Sequence, residues 1–228
     1  MNSSDQAPIV IVGAGIVGLC SAAYLQQDGR KVMLIDAAGP GEGASFGNAG
    51  CLNASSVVPM SMPGTIKQVP GWLMDPLGPL AIRWSYLPSV LPWLLRFWRA
   101  GSIENVQRQA KALRPLLVDS IANYLPLAKE AGVDHLIHRI GHLFAYSSEE
   151  GYRKDETAMA LRSAHGSAVT TLSADELHEL EPDLGDQFVR GRIIRENGHC
   201  SNPYALAQGL ARMIEKRGGT ILRERVTH

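Results

Sequence analysis

Ile9-Val10-Ile11-Val12-Gly13-Ala14-Gly15-Ile16-Val17-Gly18 decides the fold of this chain. An apolar, β-branched run enters a Gly-x-Gly-x-x-Gly turn. A helical pattern follows from Leu19 to Gln27, and a second apolar run, Lys31 to Ile35, ends at Asp36. Strand, glycine turn, helix, strand and acid in that order make the dinucleotide-binding βαβ fingerprint, with the acid at the expected distance. Each glycine has its own reason. Gly13 permits a tight turn, Gly15 lets backbone approach a pyrophosphate, and Gly18 lets helix and strand pack closely. Ala14, Ile16 and Val17 complete the turn and the first helical residues. There the unpaired N–H groups and the positive end of the helix dipole face that pyrophosphate. Asp36 accepts hydrogen bonds from a ribose and disfavours a 2′-phosphate, which argues against NADP.

The bulk numbers exclude several classes. The chain has 228 residues, enough for one large domain or two small ones. Lys plus Arg and Asp plus Glu both number 22, giving a formal net charge of zero, and no basic stripe suits a nucleic acid. Met1 to Pro8 lacks the basic-then-apolar order of a signal peptide and reads as a short polar leader. Cys20, Cys51 and Cys200 share no Cys-x-x-Cys spacing. They read as small buried or half-buried apolar residues in a reducing, cytoplasmic compartment.

Beyond Asp36 the regular alternation of strand and helix stops. A glycine-rich loop spans Gly39 to Gly50. Val58 to Pro92 is rich in Pro and Gly and reads as a long irregular excursion with short helical turns. Leu91–Ala100 reads as a short apolar helix. Ile103–Ala131 reads as a helix with Val106, Leu113, Leu116, Leu117, Ile121, Tyr124 and Leu127 on its apolar face, kinked or divided at Pro115 and Pro126. Strands are expected at Leu136–Ile140, His142–Tyr146, Val169–Leu172 and Val189–Arg195, with a helix at Glu149–Ser163. Ser173 and Glu176 make a capping box. Asn202-Pro203 starts a helix that runs to Arg217, Gly218-Gly219 ends it, and Thr220–Val226 is the last strand. The pattern describes an α/β protein: a Rossmann-like nucleotide-binding domain interrupted by a mixed α+β module. Its segments are 1–60 (βαβ unit and glycine-rich loop), 61–195 (inserted portion) and 196–228 (return).

The loop after the acid carries a family likeness. Gly43-Ala44-Ser45-Phe46-Gly47-Asn48-Ala49-Gly50 resembles the Ser-x-x-Asn-Ala-Gly loop of the amine and D-amino-acid oxidoreductases that carry FAD. In that family the loop lies along the flavin diphosphate and ring, where small residues let backbone N–H groups reach the cofactor. Leu177–Glu181-Pro182 resembles the family's Leu-x-x-x-Glu-Pro element, and Gly198–Tyr204 with Gly218-Gly219-Thr220 resembles its helix–strand return. The segments Gly71–Arg83 and Leu91–Phe97 look most like the D-amino acid dehydrogenases. The resemblance implies FAD, held by Gly13–Gly18, Asp36, Ala37, Ser45, Asn48, Ala49 and Gly50, with Val226 at the adenine. It implies oxidation of a D-amino acid to a 2-oxo acid and ammonia, with electrons passed to a quinone or other respiratory carrier. Related flavin enzymes for hydroxyproline, glycine or sarcosine share these features. Many members of the family have a basic residue just after the acid, where this chain has Ala37-Ala38. Relatives in the family continue for nearly as long again, so an inactive nucleotide-binding fragment is the expectation from a different class.

Other candidates are weaker. On a strand His138 and His142 would share a face and His135 would point away. With no cysteine or carboxylate to complete a set, no metal site is expected. Trp72–Trp98 is broken by Pro76, Pro79, Pro88 and Pro92 and cannot be a spanning helix. It reads as substrate-domain core and dimer contact, with peripheral docking on the inner face of the membrane as the alternative. The flavin takes hydride from an amine carbon directly, so no catalytic side chain is assigned.

Overall fold

In a computed structural model of the chain, residues 7–75 and 83–227 are described. Pro76–Ile82 and the first part of the polar leader, Met1–Gln6, lie outside them. The described residues form, in chain order, β1 (Ile9–Val12), α1 (Ile16–Gln27), β2 (Val32–Ile35), β3 (Cys51–Leu52), α2 (Thr65–Met74), α3 (Leu87–Ala100), α4 (Ile103–Leu117) and α5 (Ser120–Glu130). Then follow β4 (Ile137–His138), β5 (His142–Tyr146), α6 (Glu149–Lys154), α7 (Glu156–Ala164), β6 (Val169–Leu172), α8 (Ala174–Leu180), β7 (Arg190–Ile194), β8 (Gly198–Cys200), α9 (Pro203–Lys216) and β9 (Thr220–Leu222). They divide into two compact units. The first holds the chain up to Asn53, Asp119–His142 and everything from Arg195 on; the second holds Ala54–Val118 and Leu143–Ile194. Residues 119–142, inside the 61–195 segment, pack with the first unit.

In the first unit β2 is the central strand of a parallel sheet. It pairs with β1 in the register Ile9↔Val32 to Val12↔Ile35, and with β9 in the register Met33↔Thr220 to Ile35↔Leu222. Parallel pairing needs a crossover, which α1 supplies between β1 and β2. Helices α1 and α9 pack against each other. Ala22 and Ala23 of α1 and Ala207 and Ala211 of α9 are buried, and these small side chains let the helix backbones approach. Leu19, Leu206, Leu210 and Ile214 fill the same core, with Ile121 and Leu127 of α5 packed against them. A second sheet, β3-β8-β4, is antiparallel.

The second unit is built on the sheet β5-β7-β6. Leu172, Leu177 and Ile193 form one small core, and Val57, Val106, Ala110 and Leu161 form another. Arg192 of β7 is 2% exposed. It donates to the Tyr152 carbonyl at 3.1 Å and to Glu156 at 2.5 Å, and its guanidinium lies 3.7 Å from the Tyr152 ring centroid.

Most short signals hold. The capping box at Ser173 and Glu176 is present, and Asn202 accepts from Ala205 N–H at 2.9 Å to cap α9. Several expectations are corrected. The 103–131 helix divides at Val118–Asp119, the boundary between the units, while Pro115 and Pro126 both sit inside helices. Leu116, expected on the apolar face, is 78% exposed. Leu136 belongs to a 3-10 turn, Glu149–Ser163 is two helices, and the last strand stops at Leu222. The short strands β3 and β8 were not legible from the sequence.

Leu210 of α9 is fully buried in this core, which also holds residues of α1 and α5. Leu210→Ala is expected to lower unfolding stability by about 2–5 kcal/mol, the range for truncating a buried leucine. Urea unfolding followed by circular dichroism measures it.

Candidate functional site

The turn between β1 and α1 is fixed by four hydrogen bonds. Gly13 N–H donates to the Ile35 carbonyl at 2.8 Å, and the Ala14 carbonyl accepts Gly41 N–H at 2.9 Å. Ala14 N–H donates to Asp36 Oδ2 at 2.8 Å, and Ile16 N–H donates to Ser45 Oγ at 2.9 Å. Gly13 has φ +104°, the left-handed region that favours glycine. A Cβ on Gly18 would stand 2.0 Å from the Gly13 carbonyl oxygen, so this residue must be glycine for the helix to close on the strand.

Gly15 is different. Its φ of −72° and ψ of 178° suit any residue. A Cβ there would meet Ser45 Oγ at 3.4 Å, an ordinary contact, and no other atom within 4 Å. Neither backbone conformation nor internal packing requires glycine. What a side chain would fill is the space at the N-terminus of α1, where the first-turn N–H groups lack intrahelical partners. That space, with the positive helix end behind it, fits a pyrophosphate.

Asp36 is tied to the backbone on both sides of the turn. Its carboxylate accepts from Ala14 N–H, and its other oxygen accepts from Ala38 and Gly39 N–H at 2.9 and 3.0 Å. The Ala14 bond is the main cause holding its pKa below the usual carboxylate value, opposed by partial burial and reinforced by the other two bonds. A carboxylate offers about four lone-pair positions, so these three bonds leave room for one further donor.

The serine loop is self-supported. Asn48 donates to the Ala44 carbonyl at 3.1 Å and accepts from Gly50 N–H at 2.8 Å. Gly50 has φ +65°, its carbonyl accepts Cys200 N–H at 2.7 Å, and a Cβ on it would stand 2.1 Å from the Cys200 carbonyl oxygen. The loop is fastened to α9 by Tyr204 Oη donating to Glu42 at 2.8 Å and by Gln208 donating to the Pro40 carbonyl at 2.5 Å. A cavity of about 120 Å³ is lined by Ile16, Ser45, Asn48, Tyr124, Cys200 and Leu206, among others. Burial pushes the Cys20 thiol up to about 11 and the neighbouring Tyr124 hydroxyl up to about 12, so both stay neutral near pH 7.

The structure thus gathers Gly13–Gly18, Asp36, Ser45, Asn48 and Gly50 around one helix terminus. Ala37 and Ala49 are exposed beside them. Val226 lies beyond β9 and is 52% exposed; among the described residues nothing ties it to the turn. Cys51, read as buried or half-buried, is exposed. Tyr124, Cys200 and Leu206 reach the cavity from distant segments, and no local sequence signal marks them.

The family model described as FAD dependent oxidoreductase (DAO) matches residues 8–228. The chain belongs to this family. Among curated relatives it is 44% identical over 222 residues to a D-amino-acid oxidase of Bradyrhizobium diazoefficiens, covering 96% of this chain and 52% of that protein. It is 36% identical over 188 residues to D-amino acid dehydrogenase 2 of Ralstonia nicotianae, covering 82% of this chain and 44% of that one. The chain therefore spans about half the length of these relatives. Among solved structures it resembles a glycine oxidase of Bacillus cereus with a TM-score of 0.59 at 18% identity, covering 98% of this chain and 50% of the other. It also resembles an FAD-bound L-α-glycerophosphate oxidase of Mycoplasma pneumoniae with a TM-score of 0.57 at 17% identity, covering 97% and 46%. These two likenesses establish the fold, the α/β architecture expected from the fingerprint. The expected cofactor, FAD, is the family's.

Two glycine substitutions separate ligand space from packing. In the full-length protein, Gly15→Val is expected to abolish FAD retention while the far-ultraviolet circular dichroism stays native. Gly18→Ala is expected to lower the melting temperature itself, because its clash is with backbone. FAD absorbance and thermal melts of the two variants measure the difference.

Proposed function

We propose that this chain supplies the cofactor-binding turn and the flavin loop of an FAD-dependent oxidoreductase that acts on D-amino acids. The observation that carries the site is the open space at Gly15, facing the start of α1. The identity of 44% to a D-amino-acid oxidase supports the substrate class. In this reading the first-turn N–H groups of α1 hold the pyrophosphate, Asp36 accepts from the ribose, and Ser45, Asn48, Ala49 and Gly50 lie along the flavin. Val226 is the residue proposed at the adenine. The first unit is the FAD-binding domain, and the second contributes to the substrate domain. When bound, FAD supplies the acceptor for a hydride from the carbon bearing the amine. The chain's own residues anchor and orient the cofactor. The products would be a 2-oxo acid and ammonia.

For the electron acceptor, a quinone or other carrier fits the likeness to D-amino acid dehydrogenases. Molecular oxygen is the second reading, favoured by the name of the 44%-identical relative. In the full-length protein, anaerobic flavin bleaching is expected with D-amino acids and not with their L-enantiomers. Hydroxyproline, glycine and sarcosine complete the panel, and bleaching by those alone would reassign the substrate. Reoxidation by a quinone analogue faster than by dissolved oxygen supports the dehydrogenase reading; the reverse order supports the oxidase.

Among the described residues no helix is long and apolar enough to cross a membrane. Peripheral attachment on the cytoplasmic side is the proposal for α3. Its Leu91, Leu95 and Trp98 are 48%, 46% and 54% exposed and follow the i, i+4, i+7 spacing of one helix face. Arg96 and Arg99 accompany them, and no acidic residue occurs between Asp75 and Glu104. An exposed apolar stripe with adjoining cations suits an anionic bilayer surface. Cosedimentation with phosphatidylglycerol vesicles is expected for the full-length protein and is expected to weaken in Trp98→Ser. Equal binding to neutral and anionic vesicles, or none, contradicts it.

A further inference from the structure

The cavity beside the serine loop adjoins the Gly15 space. Ser45 borders both. Its Oγ would meet a Cβ on Gly15 at 3.4 Å, and the same residue lines the cavity together with Ile16, the first residue of α1. Asp36, which holds the turn through Ala14, does not line it. A dinucleotide whose pyrophosphate sits at the start of α1 therefore sends one arm to Asp36 and the other toward this cavity. In FAD the arm opposite the adenosine is the ribityl chain, a short run of hydroxyl groups ahead of the flavin rings. The cavity volume of about 120 Å³ suits such a chain. An apolar cavity of about 150 Å³ takes a single benzene ring, so three fused rings belong outside it.

The hydrogen-bonding capacity left in the cavity is specific. Asn48 is spent: its amide donates to the Ala44 and Ser45 carbonyls and accepts from Gly50 N–H. Ser45 Oγ accepts Ile16 N–H and keeps its own proton to donate. Tyr124 comes from α5, in the segment 119–142 that packs with the first unit. It shares a side-chain hydrogen bond with Cys20 of α1. Burial is the main cause raising both groups; the bond itself raises the hydroxyl and lowers the thiol, as when a hydroxyl donates to sulfur. The Tyr124 proton is thus committed to Cys20, and an oxygen lone pair is left. The rest of the lining, Leu52, Leu206 and Pro203 among it, is apolar. Ser45 as donor and Tyr124 as acceptor are the complement of a hydroxyl chain, whose members do both.

We propose that Tyr124 positions the cofactor by accepting a hydrogen bond from a ribityl hydroxyl of FAD, with Ser45 donating to the same chain. The proposal rests on the reading of the first unit as an FAD-binding domain. Cys20 acts through Tyr124: by taking its proton it fixes the hydroxyl as an acceptor.

The test uses the full-length protein freed of FAD and titrated, by flavin fluorescence, with FAD or with an analogue whose ribityl hydroxyls are replaced by hydrogen. The parent is expected to prefer FAD. In Tyr124→Phe that preference is expected to shrink by about tenfold, the upper scale of one net hydrogen bond. A role in packing alone would weaken both ligands equally and leave the preference as it was. Should Tyr124→Phe fail to fold, 3-fluorotyrosine placed at position 124 decides. Its fluorine signal is expected to differ between the FAD and analogue complexes. Equal affinity of the parent for the two ligands, an unchanged preference in Tyr124→Phe, or one fluorine signal common to both complexes overturns the proposal. A parent protein that binds neither ligand overturns the cofactor reading instead.

Discussion

The Asp36 carboxylate accepts the N–H groups of Ala14, Ala38 and Gly39, and Asp36 N–H donates to the Leu222 carbonyl of β9. One side chain at the end of the central strand thereby fixes the glycine turn and the start of the loop that follows, and its backbone joins the last strand. Hydrogen bonds to a charged group contribute about 1.5–3 kcal/mol each. Asp36 is partly exposed, which puts its bonds toward the lower end. Ser45 does the matching work from the loop side by accepting Ile16 N–H. The chain's own hydrogen bonds thus hold the turn from both sides.

The three glycines of the fingerprint divide the labour in a way the sequence alone suggests and the geometry tests separately. Gly13 answers to backbone conformation and Gly18 to a backbone contact at 2.0 Å. Gly15 answers to neither. A motif in which one glycine has no internal reason points outward, to what occupies the space beside it. The same logic separates Gly50, whose tight approach to Cys200 is structural, from the exposed Ala49, whose small size leaves room beside the loop.

Much of this was legible in order along the chain. The βαβ start, the capping box at Ser173 and the Asn202-Pro203 start of α9 are local features in which neighbouring residues carry the signal. What was not legible depends on distant partners. The helix break at Val118–Asp119 has no proline or glycine; it falls where the chain passes from one unit to the other. Strands β3 and β8 are two and three residues long, too short for a period-two pattern to register. Arg192 reads as an ordinary strand cation. In the fold it is buried, with Tyr152 and Glu156 as partners, and Glu156 itself stays 65% exposed on its side chain. Its burial fixes the sheet of the second unit without stranding a lone charge.

A crystal structure of the full-length protein with FAD bound tests the central claim most directly. The account predicts pyrophosphate oxygens within hydrogen-bond reach of the first-turn N–H groups of α1, packed against Gly15, with a ribose hydroxyl on Asp36. A pyrophosphate held elsewhere, with the Gly15 space left to solvent, would contradict it.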